Sequence, residues 1–382
     1  MKYVTLTITR KKGWLLLASM LTILTIGSLA YHTVQVGATH VEGPATTFPP
    51  ESLSEANDDS GEIWVTSQGT HRLFILHGQG SCIETVFLPP GTGPHITTFS
   101  PSGEIAYVSG MGNGDLLIIR ADQRRLLQTL HLGVAGTHQA KPSPDGSTLF
   151  VAQIPSMTLI KVASDEATES WEVVGSLSLA SLGKAPICTI FRDDSQRAYV
   201  SLRPSGIAIV DVPTMTLLGT LETDGFVACG MIKSRDGRTV TIASSGGGGH
   251  IYRLDTTTDT LSDAGTLGAA DWHSFNMSES EKTGFGSSPH SDELIFCDLK
   301  GPTAQKLATL ALDPTPGVGN DQPDAIAVRG NKVYVSLRAS GKLAIVKAKQ
   351  QSVIKYLDLS PPTPFNETTC AGCAIHGVAV RP

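Results

Sequence analysis

Seven side chains that can bind a metal ion recur along the chain at intervals of 41 to 52 residues. In chain order they are His95, His138, Cys188, Cys229, His273, Asp324 and His376. The 382 residues include 11 histidines and six cysteines, and six of the seven recurring positions fall on these two residue types. Imidazole and thiolate ligands favour copper, zinc or iron over magnesium or calcium. The spacing therefore predicts a ring of potential transition-metal ligands.

Short β-rich runs accompany these residues and must position them. In the clearest repeats a tight turn rich in Asp, Ser and Gly, such as 102–103, 145–146 or 194–195, separates two such runs, which predicts a β-hairpin. A third run and a more polar fourth run follow, as at 206–211 and 215–221. Four strands in each repeat of 41 to 52 residues are typical of propeller blades. The sequence therefore predicts an all-β chain that forms a seven-bladed β-propeller.

The two ends of the chain complete one blade. The first predicted strands, 62–66 and 72–76, have no inner strand before them, whereas an unpaired inner strand, 375–380, stands at the C-terminus. Joining them closes the ring by the C-terminal strand and leaves no free sheet edge there.

The second strands carry a recurrent Tyr-Val-Ser step, at 107–109, 199–201 and 334–336, and a Ser-Pro-Asp-Gly turn stands at 143–146. In these features the chain resembles the YVTN-repeat propellers, over about residues 60 to 382. The resemblance implies the same seven-bladed fold. It does not imply one activity, because a propeller scaffold supports many functions.

In a propeller the inner strands line the central channel, so the recurring residues should meet at its mouth. We expect His95, His138, His376 and His273 to hold the metal ion, with His376, His95 and His138 side by side on blades 1 to 3 and His273 across the channel. Nitrous oxide reductase and methanethiol-oxidising propellers use channel histidines for copper, and this ring is similar in kind. Two alternatives stay open: histidines that only cap loops, and a catalytic site without metal.

Two loops after second strands are near copies of each other, Ser-Leu-Arg-Pro-Ser-Gly at 201–206 and Ser-Leu-Arg-Ala-Ser-Gly at 336–341. Their arginines, Arg203 and Arg338, should face the channel mouth. Guanidinium groups bind carboxylate or phosphate through paired hydrogen bonds. With Cys188, Cys229 and Asp324 they are candidate ligand-binding residues, and a small anionic ligand or a protein is the expected partner.

The six cysteines suit disulfides in an oxidising compartment. Cys370 and Cys373 form a C-x-x-C, but Ala374 stands where covalent haem attachment needs His, so the sequence predicts no covalent haem. A local disulfide is the alternative use. Cys188 and Cys229 are expected on neighbouring blades and are a second candidate pair.

Residues 1–38 combine a basic cluster at Arg10, Lys11 and Lys12 with an apolar run, the pattern of a signal peptide or membrane anchor. Residues 39–58 are predicted to be a linker, and 59–382 the propeller, placed outside the cytoplasm. Segment 1–38 holds four of the 29 basic residues and no acidic ones, so the remainder carries 25 positive and 35 negative charges, a net of −10. This charge argues against nucleic acid, and against membrane contact other than through the anchor.

Two classes of function fit these features. The first is an exported scaffold that binds a ligand or partner through its channel-mouth face, with a metal ion there. The alternative is a metal-dependent enzyme at the same place. An oxidoreductase fits better than a lactonase-like hydrolase, because propeller lactonases hold their ion with carboxylates and Asn, and this ring has only Asp324.

Overall fold

The computed structural model describes residues 61–225, 227, 230–245, 248–268, 272–312, 321–359 and 375–382. Within these ranges 28 strands form seven four-stranded antiparallel sheets, arranged as the blades of a ring. The predicted β-propeller is therefore confirmed. The described residues include no helix long and apolar enough to cross a membrane. The predicted leader 1–38 and linker 39–58 lie outside them.

The strands of each blade follow one another from the channel outwards. Blade 1 contains β28 (Val378–Val380), β1 (Glu62–Ser67), β2 (Arg72–His77) and β3 (Cys82–Phe87), and blade 2 contains β4 (Pro94–Phe99), β5 (Ile105–Gly110), β6 (Asp115–Arg120) and β7 (Arg125–His131). Blade 3 contains β8 (Thr137–Pro142), β9 (Thr148–Gln153), β10 (Thr158–Asp165) and β11 (Ser170–Ser178), and a 3₁₀ turn at Ala180–Leu182 leads to blade 4, with β12 (Ala185–Phe191), β13 (Arg197–Arg203), β14 (Ile207–Asp211) and β15 (Thr216–Leu221). Blade 5 contains β16 (Ile232–Lys233), β17 (Thr239–Ser244), β18 (His250–Asp255) and β19 (Thr260–Thr266), and blade 6 contains β20 (Ser274–Met277), β21 (Thr283–Ser288), β22 (Glu293–Asp298) and β23 (Gln305–Ala311). Blade 7 contains β24 (Pro323–Arg329), β25 (Lys332–Leu337), β26 (Lys342–Lys347) and β27 (Ser352–Asp358).

The C-terminal strand closes the ring as predicted. β28 pairs antiparallel with β1, with Val378 opposite Val65 and Val380 opposite Ile63. The first and last strands of the described residues thus share one blade, and its inner strand comes from the C-terminal segment.

Hydrophobicity places each strand at its depth in the blade. In blade 4 the interior of β13 and most of β14 are buried, because neighbouring blades cover both faces of the sheet. The outer strand β15 alternates between exposed and half-buried residues, since one of its faces meets solvent. Blades pack on one another through these apolar faces, and the polar side chains collect at the channel and the rim.

The Tyr of the Tyr-Val-Ser step links each of the three blades that carry it to the next blade. The Tyr199 hydroxyl donates to Oδ1 of Asp259 on blade 5 at 2.6 Å, and the Tyr334 hydroxyl donates to the Gly78 carbonyl on blade 1 at 2.6 Å. Tyr107 on blade 2 lies 3.3 Å from the Ser164 hydroxyl on blade 3. The hydroxyl of the repeated Tyr thus makes a polar contact between the packed faces of neighbouring blades.

The hydroxyl residue of the same step positions the channel ring. Four such hydroxyls donate to the backbone carbonyl of the ring residue on the next blade, over 2.5 to 2.8 Å: Thr66 to His95, Ser109 to His138, Ser287 to Asp324, and Ser336 to His376. Each also accepts a backbone N–H from the inner strand of its own blade. The ring residues are therefore held at one level of the channel by a repeated contact.

Candidate metal centre at the channel mouth

The described ring residues all lie at the inner strands, as the repeat spacing predicted. His95, His138, Cys188 and Asp324 belong to the first strands of their blades, His273 directly precedes β20, and His376 lies two residues before β28. Cys229 lies outside the described residues. Blades 6, 7 and 1 are neighbours in the ring, so the structure brings His273, Asp324 and His376 together.

These three residues form a His-Asp-His cluster around one buried carboxylate. One potential ligand atom from each lies within 4.8 Å of the other two. Nε2 of His376 is 3.1 Å from Oδ2 of Asp324, and Nδ1 of His273 contacts Oδ1 of the same carboxylate. Asp324 is fully buried, and neither of its oxygens makes a hydrogen bond of good geometry to a described residue. The carboxylate thus faces Arg338 and two imidazoles but lacks well-aligned hydrogen-bond donors, and a bound cation would occupy the acceptor positions that these groups leave.

One ligand separation in the cluster fits a transition metal. Zinc lies about 2.0–2.2 Å from imidazole nitrogen or carboxylate oxygen, so two ligands of a tetrahedral site are about 3.3 Å apart. The 3.1 Å between His376 and Asp324 matches that separation. Two imidazoles and one carboxylate are also the donor set of non-haem iron(II) sites with open positions.

His95 and His138 extend the cluster along the channel wall. The ring centroids of His95 and His376 are 3.6 Å apart, and those of His95 and His138 are 4.6 Å apart. Nδ1 of His95 is 3.1 Å from Oε1 of Gln68, and Nδ1 of His138 is 3.0 Å from the Ile187 carbonyl. A carbonyl can only accept, so His138 carries its proton on Nδ1 and its lone pair on Nε2. This is the arrangement that orients metal-binding histidines.

His273 was expected across the channel, but its ring centroid is 5.9 Å from that of His376. His273 belongs to blade 6 and His376 to blade 1, and Asp324 of blade 7 lies between them, so the two histidines are close neighbours. Its side chain is 30% exposed, whereas that of His376 is 4% exposed. His273 therefore lies on the open side of the cluster, where solvent or a ligand can enter.

Burial sets the charge of the cluster. It lowers the pKa of His138 to about 3 and that of His376 to about 4, and it takes the pKa of His95 well below its ordinary value. For Asp324 burial alone would raise the pKa, but the positive charges of His273, His376 and Arg338 outweigh it and hold that pKa below its ordinary value. At neutral pH the buried imidazoles are uncharged and the carboxylate is ionised, which are the forms that bind metal ions.

The two similar arginine loops place their arginines differently. Nη1 of Arg338 is 3.6 Å from Oδ2 of Asp324, and the side chain is 11% exposed. Arg203 is exposed at the end of β13, and no ion pair joins it to the cluster within the described residues. Arg338 and Asp324 belong to blade 7, whereas Arg203 belongs to blade 4, whose ring residue is Cys188. Only Arg338 of the predicted pair therefore joins the Asp324 cluster.

Cys188 is in a disulfide, so it is not a thiolate ligand. Its partner is not among the described side chains, and Cys370 and Cys373 lie outside the described residues. Sγ of Cys188 is 3.8 Å from Nδ1 of His138. Cys297 is buried and free, and burial raises its pKa to about 12, so it is a packing residue.

Two glutamines of the cluster were not predicted from the sequence. Gln68 contacts His95, and Gln322 accepts from Nε of Arg338 through Oε1 at 2.8 Å. A signal for Gln68 was present, because it follows the Trp-Val-Thr-Ser run of blade 1 at the position that Arg338 has in blade 7. Gln322 has no such repeat signal, since its role depends on where the Arg338 side chain goes.

Solved structures with a similar fold include a hydrazine synthase from Kuenenia stuttgartiensis, with a TM-score of 0.57 and 15% identity over 74% of this chain and 91% of that one. A dihydro-heme d1 dehydrogenase, NirN, crystallised with DHE, has a TM-score of 0.57 and 16% identity, over 88% of this chain and 78% of that one. The Cps50 (Swd1) β-propeller domain of Myceliophteria thermophila has a TM-score of 0.58 and 10% identity, over 72% of this chain and 89% of that one. At these identities the likeness shows the propeller fold alone. No family model and no curated protein matches the chain.

Proposed function

We propose that this protein is an exported propeller of the YVTN-repeat type that binds one transition metal ion at its channel mouth and recognises a ligand there. The observation that carries the proposal is the His273–Asp324–His376 cluster, with ligand atoms within 4.8 Å around a fully buried carboxylate. His95 and His138 line the adjoining channel wall and hold the cluster in place. Copper, zinc and iron are the ions that this donor set favours.

The main competing explanation is that the histidines only cap loops. This explanation accounts for His138 better than for the His273–Asp324–His376 cluster. His138 has a backbone carbonyl partner, as a capping residue would. His273 and His376 instead converge on one carboxylate from different blades. Arg338 also faces this carboxylate, so three side chains from three different segments converge on Asp324, which loop capping does not require.

Metal content tests the proposal directly. The purified propeller, incubated in turn with zinc, copper(II) and iron(II) and then desalted, should retain about one ion per chain with at least one of these metals. The His273→Ala, Asp324→Ala, His376→Ala triple variant should retain about a tenth of that amount or less. Elemental analysis by mass spectrometry measures both. A wild-type protein that retains no ion under any of these conditions would overturn the proposal.

A second His-Asp group outside the channel provides a matched control. Nδ1 of His250 lies 3.1 Å from Oδ2 of Asp263, at the edge of blade 5. A His250→Ala, Asp263→Ala double variant removes the same residue types from an exposed place and should retain the ion. Equal loss of metal from both variants would assign the binding to general surface affinity.

A metal-dependent oxidoreductase is the second candidate function, and the open side of the cluster favours it. Two imidazoles and one carboxylate leave coordination positions free, and the 30% exposure of the His273 side chain puts those positions within reach of solvent. Two of the solved structures of similar fold are named as enzymes, a hydrazine synthase and a dihydro-heme d1 dehydrogenase. At 15% and 16% identity this likeness only makes the reaction class worth testing.

Export is proposed from the basic and apolar pattern of residues 1–38. A reporter enzyme that is active only outside the cytoplasm should be active when it is fused after residue 38. Replacing Leu21 and Leu24 with Arg should abolish that activity, because each central Arg costs about 2.5 kcal/mol or more on insertion. Normal reporter activity in the double variant would contradict the proposed export signal.

A further inference from the structure

Arg338 is fixed beside the metal cluster by a buried support. Its Nε donates to Oε1 of Gln322 at 2.8 Å, and its backbone N–H donates to the Gln322 carbonyl at 3.1 Å. Gln322 is 2% exposed and has a φ of 54°, a left-handed conformation uncommon for a residue other than glycine. Its own N–H is bonded to Oδ1 of Asp292 at 2.7 Å. The buried Gln322 therefore positions the guanidinium, and Asp292 in turn holds the backbone of Gln322.

A metal ion in the cluster creates an excess of positive charge. A divalent ion contributes two positive charges and Arg338 one, while Asp324 contributes one negative charge. The histidines bind metal as neutral ligands. The group then carries a net charge of about +2 in a place where Asp324 is fully buried and Arg338 nearly so. A buried charge of this size needs a counter-ion.

We infer that the channel mouth binds a small anion, of the size of a carboxylate or azide, between the metal ion and the Arg338 guanidinium. This inference rests on the proposed metal site. An anion would enter from the side of His273, whose side chain is 30% exposed. The other side is filled by the rings of His95 and His376, whose centroids are 3.6 Å apart. A planar guanidinium suits an anion with two acceptor atoms, one for the metal ion and one for Arg338.

Cobalt(II) gives the site a spectroscopic readout that does not depend on any activity. The cobalt-loaded protein is titrated with sodium azide and, separately, with sodium formate at constant ionic strength, and the visible absorption of the ion is followed. The wild-type protein should show a saturable spectral change. Arg338→Gln should weaken the apparent affinity for the anion about 10- to 100-fold, because it removes a charged hydrogen-bond donor.

Two further variants keep the test decisive. Arg338→Lys retains the charge without the planar group and should weaken anion binding by about 3- to 10-fold. Arg203→Gln changes the matching arginine of the similar loop, which lies away from the cluster, and should leave the titration unchanged. If Arg338→Gln does not fold, the comparison of Arg338→Lys with wild type decides.

The outcomes separate the inference from the proposed function. A wild-type protein that retains none of cobalt(II), zinc, copper(II) and iron(II) would remove the metal site itself. If cobalt alone is not retained, the same titrations follow the visible absorption of the copper(II)-loaded protein. Cobalt binding without a spectral response to either anion would overturn only the anion site. The anion site would also be overturned if the Arg338 variants bound the anion as tightly as wild type, because the anion would then bind the metal ion without the guanidinium.

Discussion

A chain that lacks residues 375–382 should not form a stable propeller. The deletion removes β28, which pairs with β1, and Ile375, a fully buried side chain that packs in the core between blades 7 and 1. Loss of a buried Ile costs about 2–5 kcal/mol. The backbone bonds from His376 to Thr66 and from Arg381 to Glu62 would add about 1 kcal/mol each. The sum, about 4–7 kcal/mol, reaches the lower end of the stability of a typical domain, about 5–15 kcal/mol.

The expected result is an aggregated or unfolded product, because β1 would become a free sheet edge inside the ring. Solubility, gel filtration and thermal unfolding by circular dichroism measure it. A deletion of residues 381–382 alone keeps β28 and loses the ion pair of Arg381 with Glu62 at 3.1 Å, so it should lower stability only slightly. A 375–382 deletion with the melting temperature of the parent would show that the ring closes in another way.

Gly377 gives a milder version of the same test. A Cβ at this position would lie 2.4 Å from the His95 carbonyl oxygen, which belongs to the backbone of the next blade and cannot turn aside. Gly377→Ala should therefore separate His376 from His95 and lower both stability and metal retention.

Replacing Asp324 with Asn should abolish metal binding while the shape of the side chain is kept. Asp324 is the only carboxylate of the cluster and lies between His273, His376 and Arg338. Loss of a residue that only supports a metal ligand lowers affinity about 10- to 100-fold, so loss of the ligand itself should raise the Kd at least about 100-fold. Isothermal titration with the ion that wild type retains measures the change.

The same substitution should lower the stability of the metal-free protein. Removing one partner of a buried ion pair costs about 3–5 kcal/mol, because the charge of Arg338 would lose the carboxylate it faces. An Asp324→Asn, Arg338→Gln double variant should recover much of this loss without recovering metal binding. Urea denaturation measures both variants. Asp358→Asn is the control, since Asp358 is 83% exposed and its pairing with Lys342 at 3.7 Å contributes little. Unchanged metal affinity in Asp324→Asn would exclude the carboxylate from the site.

The sequence by itself determined the fold, the order of the blades and the channel residues. Strand repeats have a fixed period, and a ring of similar blades puts equivalent positions at equivalent depths. This is why His95, His138, Cys188, Asp324 and their counterparts could be assigned to the channel from spacing alone. The closure by β28 could be predicted by counting strands, because the N-terminal strands of the first blade had no inner strand before them and the C-terminal strand had no partner.

Only the tertiary structure decided which ring residues act together. From spacing, the predicted metal set was the four histidines, whereas the cluster that forms around one carboxylate contains His273, Asp324 and His376. Side-chain direction depends on local partners: the Ile187 carbonyl accepts a hydrogen bond from Nδ1–H of His138, and Gln68 contacts His95. Such partners come from other blades, so the sequence near each histidine does not reveal them.

The two arginine loops show that similar local sequences do not imply similar surroundings. Arg203 and Arg338 stand in nearly identical hexapeptides. Arg338 lies on blade 7 with Asp324, whereas Arg203 lies on blade 4, whose ring residue is Cys188, so only Arg338 reaches Asp324. The period of the sequence thus determined which residues face the channel. Packing, hydrogen bonding and burial between blades decided which of them share one site.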